Sequence, residues 1–83
     1  MHNLLTQIPA KRLLVITPSD VTVFSKPLSG VYVGSPGNVT ALAEDDTTPV
    51  LFLAVPAGTV LPVAAIKIMA TGTTATSLVG LYQ

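Results

Sequence analysis

The sequence predicts an all-β protein, a small sandwich or barrel of about six to seven short strands with an extended N-terminal arm. Three observations predict it. Apolar, β-branched runs are short. Turn residues recur about every 8–12 positions, the spacing of sandwiches and barrels. And a long apolar stretch, V-L-F-L-A-V-P-A-G-T-V-L-P-V-A-A-I-K-I-M-A, fills positions 50–70. Residues 1–12 form the arm and residues 13–83 a single β domain.

Taken in order, the arm carries Leu4, Leu5 and Ile8 at roughly helical spacing and then Pro9, so one helical turn or an extended strap both fit. Lys11-Arg12 precede the apolar run 13–16, which reads as a buried strand. Thr17-Pro18-Ser19-Asp20 breaks it with turn chemistry. Residues 21–25 alternate as a strand would, Val21 and Val23 against Thr22 and Phe24. Residues 31–33 and 39–43 read as a hairpin closed by Ser35-Pro36-Gly37-Asn38. Glu44-Asp45-Asp46-Thr47-Thr48 is the most polar stretch and reads as an exposed loop.

Val50 to Val55 has no polar side chain on either face, so both faces need cover. Pro56-Ala57-Gly58-Thr59 turns the chain, and 60–70 returns. The expectation is a buried strand pair at the domain centre. A helix over 64–70 is the local alternative. Residues 75–82 form the last strand, with Ser77, Val79 and Leu81 on one face and Leu78, Gly80 and Tyr82 on the other. Gly80 marks a bulge or a close approach.

Composition narrows the function. Of 83 residues, 49% are hydrophobic and 10% charged, and the formal net charge is zero. Globular chains usually carry about 25% charged residues. So apolar a surface implies association, with copies of itself or with a larger assembly. Neutrality permits close packing of like copies. It also argues against nucleic acid, since Lys11-Arg12 and two isolated lysines make no basic patch. The absence of cysteine excludes disulfides. Residues 47–66 are uncharged and about the length of a spanning helix, but Pro49, Pro56, Gly58 and Pro62 interrupt them, so no membrane span is expected.

No catalytic constellation is present. His2 is the only histidine and has no partner group near it in sequence. Ser19, Ser25 and Ser29 lack a base and an elbow motif. Glu44, Asp45 and Asp46 are adjacent rather than spaced, unlike calcium loops, and read as a solvated loop tip that could meet a basic neighbour. Asn38-Val39-Thr40 matches a glycosylation sequon but reads as turn chemistry. Lys67 interrupts an apolar strand, so it is either an edge lysine or the partner of an acid on a neighbouring subunit. No enzyme activity, cofactor or metal is expected.

Ile16-Thr17-Pro18-Ser19-Asp20, Gly30-Val31-Tyr32-Val33-Gly34, the run from Val55 to Val63, the run from Ala70 to Thr76 and the ending Leu81-Tyr82 carry a resemblance. In this order and spacing they resemble small head-associated structural proteins of tailed bacteriophages and gene transfer agents, spike-base proteins among them. Residues 63–67 are mostly apolar where the family pattern tends to be basic. The resemblance implies a virion structural protein on the capsid surface, either a cement between capsomers or the base of a head spike. It implies the major capsid protein and copies of itself, as a trimer or pentamer, as partners, with a spike or fibre protein as a further one. Leu4, Leu5, Ile8, Lys11, Arg12, Glu44, Asp45, Asp46 and Lys67 are the expected partner-binding residues, because the arm and the acidic loop are least able to support the core. A receptor- or carbohydrate-binding module of a fibre is the alternative; it would need aromatic platforms, and aromatics are 5% of the chain.

Overall fold

The computed structural model describes residues 9–83. Seven strands follow one another: β1 (Arg12–Ile16), β2 (Gly30–Ser35), β3 (Gly37–Ala43), β4 (Val50–Val55), β5 (Thr59–Leu61), β6 (Ala65–Ile68) and β7 (Thr76–Tyr82). They make two antiparallel sheets, one of order β1-β7-β2-β5 and one of order β4-β3-β6. The fold is thus an all-β sandwich, as expected, and no helix stands at 64–70.

The inward faces meet in one core of Ile16, Leu28, Val31, Val33, Val39, Ala41, Val55, Leu61, Ala65, Ile68, Ala75 and Leu78, with Phe24, Phe52, Val63 and Tyr82 packed against it. Period-two alternation places them. Val31 and Val33 point inward from β2 while Tyr32 between them points out. Leu78 and Gly80 do the same on β7, the face division read from the sequence. Gly80 answers to a close approach: a Cβ there would lie 2.8 Å from Leu28 Cδ2 and 3.3 Å from Ile16 Cδ1. Leu28, in the β1–β2 connection, thus fills the space that Gly80 leaves.

Strand pairing departs from the expectations. Residues 31–33 and 39–43 do not form a hairpin, since Pro36 alone carries the chain from β2 in one sheet to β3 in the other. The stretch 50–70 is not a buried pair. β4 lies at the edge of the three-stranded sheet and β5 at the edge of the four-stranded one. Pro62 ends β5, and β6 starts at Ala65 back in the three-stranded sheet. Four connections, β2 to β3, β4 to β5, β5 to β6 and β6 to β7, cross between the layers, so each sheet receives a facing sheet to cover its inner side.

Residues 13–16 form an edge strand, and only Ile16 is buried. Residues 21–25 make no strand. Their segment instead runs along the outer edge of β6. The N–H groups of Ser19, Phe24 and Leu28 donate to the carbonyls of Ile68, Ile66 and Ala65 at 2.8, 2.8 and 2.9 Å. An irregular segment has thereby closed one sheet edge against unwanted pairing.

Candidate interaction surface

Registers across the four-stranded sheet define its outer face. Val15 opposes Val79, Val79 opposes Tyr32, and Tyr32 opposes Val60. One apolar row therefore crosses all four strands on the face turned from the core. Val15 is 82% exposed and Val60 50%, with Tyr32 also exposed and Val79 partly so. Leu13, 70% exposed, opposes Leu81 in the next row. Nothing charged interrupts either row. A contiguous apolar face of this kind marks a contact site rather than ordinary surface.

The second feature is β4. It has a strand neighbour on one side only, and its other side is open among the described residues. Leu51 and Leu53 point outward and are exposed. No charged residue lies between Asp46 and Lys67, so β4 lacks the edge charges that normally discourage strand pairing. A register shift bends it, with Ala54 at φ 52° held by its N–H donating to Asn38 Oδ1 at 2.9 Å. A bulge of this kind twists a strand edge.

The charged groups fall in three places. Glu44, Asp45 and Asp46 are exposed on the β3–β4 loop. Their turn is pinned by the Glu44 N–H donating to the Ala64 carbonyl at 2.8 Å and the Asp46 N–H to the Ala43 carbonyl at 3.1 Å. Lys11 and Arg12 are exposed at the start of β1, where the Lys11 N–H donates to the Tyr82 carbonyl at 2.7 Å. Arg12, Leu14, Phe24, Ser25, Lys26 and Tyr82 line an open groove of about 320 Å³. Lys26 Nζ also donates to the Gln83 carbonyl at 2.8 Å.

Lys67 and Asp20 make the third place. Lys67 Nζ donates to the Asp20 backbone carbonyl at 3.2 Å. Both carboxylate oxygens of Asp20 accept from Thr71: Oδ2 from the hydroxyl at 2.6 Å and Oδ1 from the N–H at 2.9 Å. These bonds, the Thr71 hydroxyl first, hold the Asp20 carboxyl below its ordinary value of 3.8, and the Lys67 charge adds to them. Lys67 thus bonds the backbone of Asp20 in its own chain, on the far side of β6 from the Glu44–Asp46 loop. Ser19 Oγ accepts from the N–H groups of Val21 and Thr22, both at 3.2 Å, which makes it a turn residue.

Of the expected partner residues, Leu4, Leu5 and Ile8 lie outside the described residues, as does His2. Lys11 and Arg12 share one end of β1; Glu44, Asp45 and Asp46 share one loop; Lys67 stands apart from both groups. Sequence reasoning missed the Val15–Val79–Tyr32–Val60 row, whose members come from four separated segments. Among the described residues no group of three His, Asp or Glu could hold a metal, and no helix is long and apolar enough to cross a membrane.

Comparison with solved structures gives an informative likeness. The chain is similar to a chain in a solved structure titled the capsid of a native GTA (gene transfer agent) particle, computed with C5 symmetry. The two are 35% identical, the match covers 90% of this chain and 86% of that one, and the TM-score is 0.77. No family model matches the sequence, and no curated protein matches it either.

Proposed function

The chain belongs to the family of that gene transfer agent capsid chain, and from this premise we propose that it decorates the particle head as a homo-oligomer seated on the major capsid protein. It is a virion structural protein and not an enzyme. The observation that carries the finer reading is the apolar row across the outer face of the four-stranded sheet. That face is assigned to the capsid. At about 25 cal/mol per Å² of apolar area, even a modest contact accumulates when repeated around a shell.

Cementing three capsomers and forming the base of a head spike differ in copy number, three per three-fold junction against five per vertex. A spike base would carry a spike or fibre protein on its outward side. The fibre-module alternative is disfavoured, since Phe24, Phe52 and Tyr82 pack against the core and leave only Tyr32 as an exposed ring.

The test is to add the purified chain to heads assembled without it and pellet them. Saturable co-sedimentation is expected, and copies per capsid subunit would choose between the two positions. A chain that stays in the supernatant at every concentration overturns the reading.

A further inference from the structure

Three of the four acids in this chain stand together on the β3–β4 loop, and three of its four cations, Lys11, Arg12 and Lys26, surround or adjoin one groove. The remaining two, Asp20 and Lys67, lie together elsewhere, Lys67 Nζ on the Asp20 backbone carbonyl and the Asp20 carboxylate on Thr71. A protein of zero net charge is thus a sandwich with one acidic and one basic corner.

The registers locate the two corners. Arg12 opposes Tyr82, Gly30 opposes Leu81, and Val31 opposes Leu61, so these residues share one end of the four-stranded sheet. Ala43 opposes Ala65 at the end of the other sheet, and only residues 62–64 separate Leu61 from Ala65. The Ser29 N–H reaches the Leu81 carbonyl at 2.6 Å while neighbouring Leu28 reaches Ala65, which ties the two ends together. Both corners therefore lie at the same end of the sandwich.

They lie on opposite flanks of it. β1 closes one side of the order β1-β7-β2-β5, and β5 closes the other. The three residues 56–58 join β4 to β5, which sets β4 and its loop on the β5 flank. One flank presents cations and the groove; the other presents acids and the uncharged open edge of β4.

We propose that the groove lined by Arg12, Leu14, Phe24 and Lys26 receives the Glu44–Asp46 loop of a second copy of this chain. The proposal rests on the homo-oligomeric reading above and specifies its interface. The groove offers guanidinium and ammonium groups above the apolar walls of Leu14 and Phe24, and carboxylates are the partners for which a guanidinium fork is shaped. Docking also brings the open β4 edge of one copy beside the β1 flank of the next. The two surfaces differ, so the contact is heterologous and repeats around a ring rather than closing as a two-fold dimer. The acidic flank of each copy meets the basic flank of the next at every contact, which selects both register and direction.

The test is charge exchange, read by sedimentation velocity of the full chain at low salt. Strand content by circular dichroism is the control, since all six side chains are exposed. Lys11→Glu/Arg12→Glu/Lys26→Glu should weaken assembly by about tenfold or more, and so should Glu44→Lys/Asp45→Lys/Asp46→Lys. The chain carrying all six changes has its corners exchanged and should reassemble. Assembly that survives either triple change, or a six-fold variant that stays dispersed while folded, overturns the proposal. So does a native chain that remains monomeric. An oligomer that ignores heads would leave this interface standing and overturn the function above; a monomer that binds heads would do the reverse.

Discussion

Two rows of side chains cross the four-stranded sheet one position apart. The inner row is Leu14, Gly80, Val31 and Leu61; the outer row is Val15, Val79, Tyr32 and Val60. Both are apolar and both span the same four strands. Val31 is fully buried, whereas Val15 is among the most exposed residues of the chain. Hydrophobicity does not separate the rows. The pleat does, because it alternates side chains between a face covered by the second sheet and a face that only another molecule can cover. From β7 to β5 the inner row therefore reports on folding and the outer row on assembly, and substitutions should divide accordingly; Leu14, on the exposed edge strand, faces the groove instead.

The largest expected effect is on the inner side. Leu28 is 1% exposed and lies over Gly80. Leu28→Ala should cost about 2–5 kcal/mol, the range for a buried leucine that leaves a cavity. Urea unfolding measures it. A loss below 1 kcal/mol would mean that the β1–β2 connection is not part of the core.

Overpacking the same spot should cost less. Gly80→Ala places a Cβ within 2.8 Å of Leu28 Cδ2, the flexible end of a side chain, so about 1–3 kcal/mol is expected. The two changes share one space. Combined, they should be less destabilising than their sum, with a coupling of about 0.5–3 kcal/mol for residues in contact. Strict additivity would show that the contact is not what excludes a side chain at position 80.

Much of this was readable from the residues alone, and the misses have a common cause. The strands at 31–33, 39–43 and 75–82 announce themselves by alternation and flanking turns. Their partners do not, because β7 pairs with β1 and β2 from 41 to 70 residues away, and local pattern carries no information about that. Val50–Val55 is apolar on both sides, which predicts cover on both faces; the chain covers only one, as Leu53, 70% exposed, shows. The excess of apolar composition over what 83 residues can bury was legible; which strands carry the excess was not. The charged corners were half legible, since Lys11-Arg12 and Glu44-Asp45-Asp46 are visible as clusters, while Lys26 joins the first only through the fold.

A smaller effect, confined to acid, should come from Asp20. It clips the segment covering the β6 edge to the turn at Thr71, and its carboxyl is held below 3.8 chiefly by the Thr71 hydroxyl. A lowered folded value means that the ionised form is the stabilising one. Its contribution is present above the unfolded value and fades as pH falls through the folded one. Asp20→Asn should therefore lower the urea midpoint at neutral pH, and the gap from the native chain should narrow below pH 3.8. A gap of the same size at all pH values would mean that the carboxylate charge is not involved. Because the group is exposed, salt should also reduce the difference.

The smallest effect on stability should come from the outer row, and there it is the informative result. Val15→Ser with Val60→Ser removes apolar surface from the exposed face, so folding stability should move by no more than about 0.5 kcal/mol per site. β propensity falls slightly at both positions, which sets the expected sign as destabilising. Co-sedimentation with heads should nevertheless drop severalfold, because the lost area recurs at every bound copy. Two other outcomes would break the contrast between the rows. Unchanged head occupancy would move the capsid contact elsewhere, with the open edge of β4 the next surface to change. A large loss of stability in the isolated chain would mean that the outer row is already covered within the oligomer, and the face assigned to the capsid would belong to the subunit contact instead.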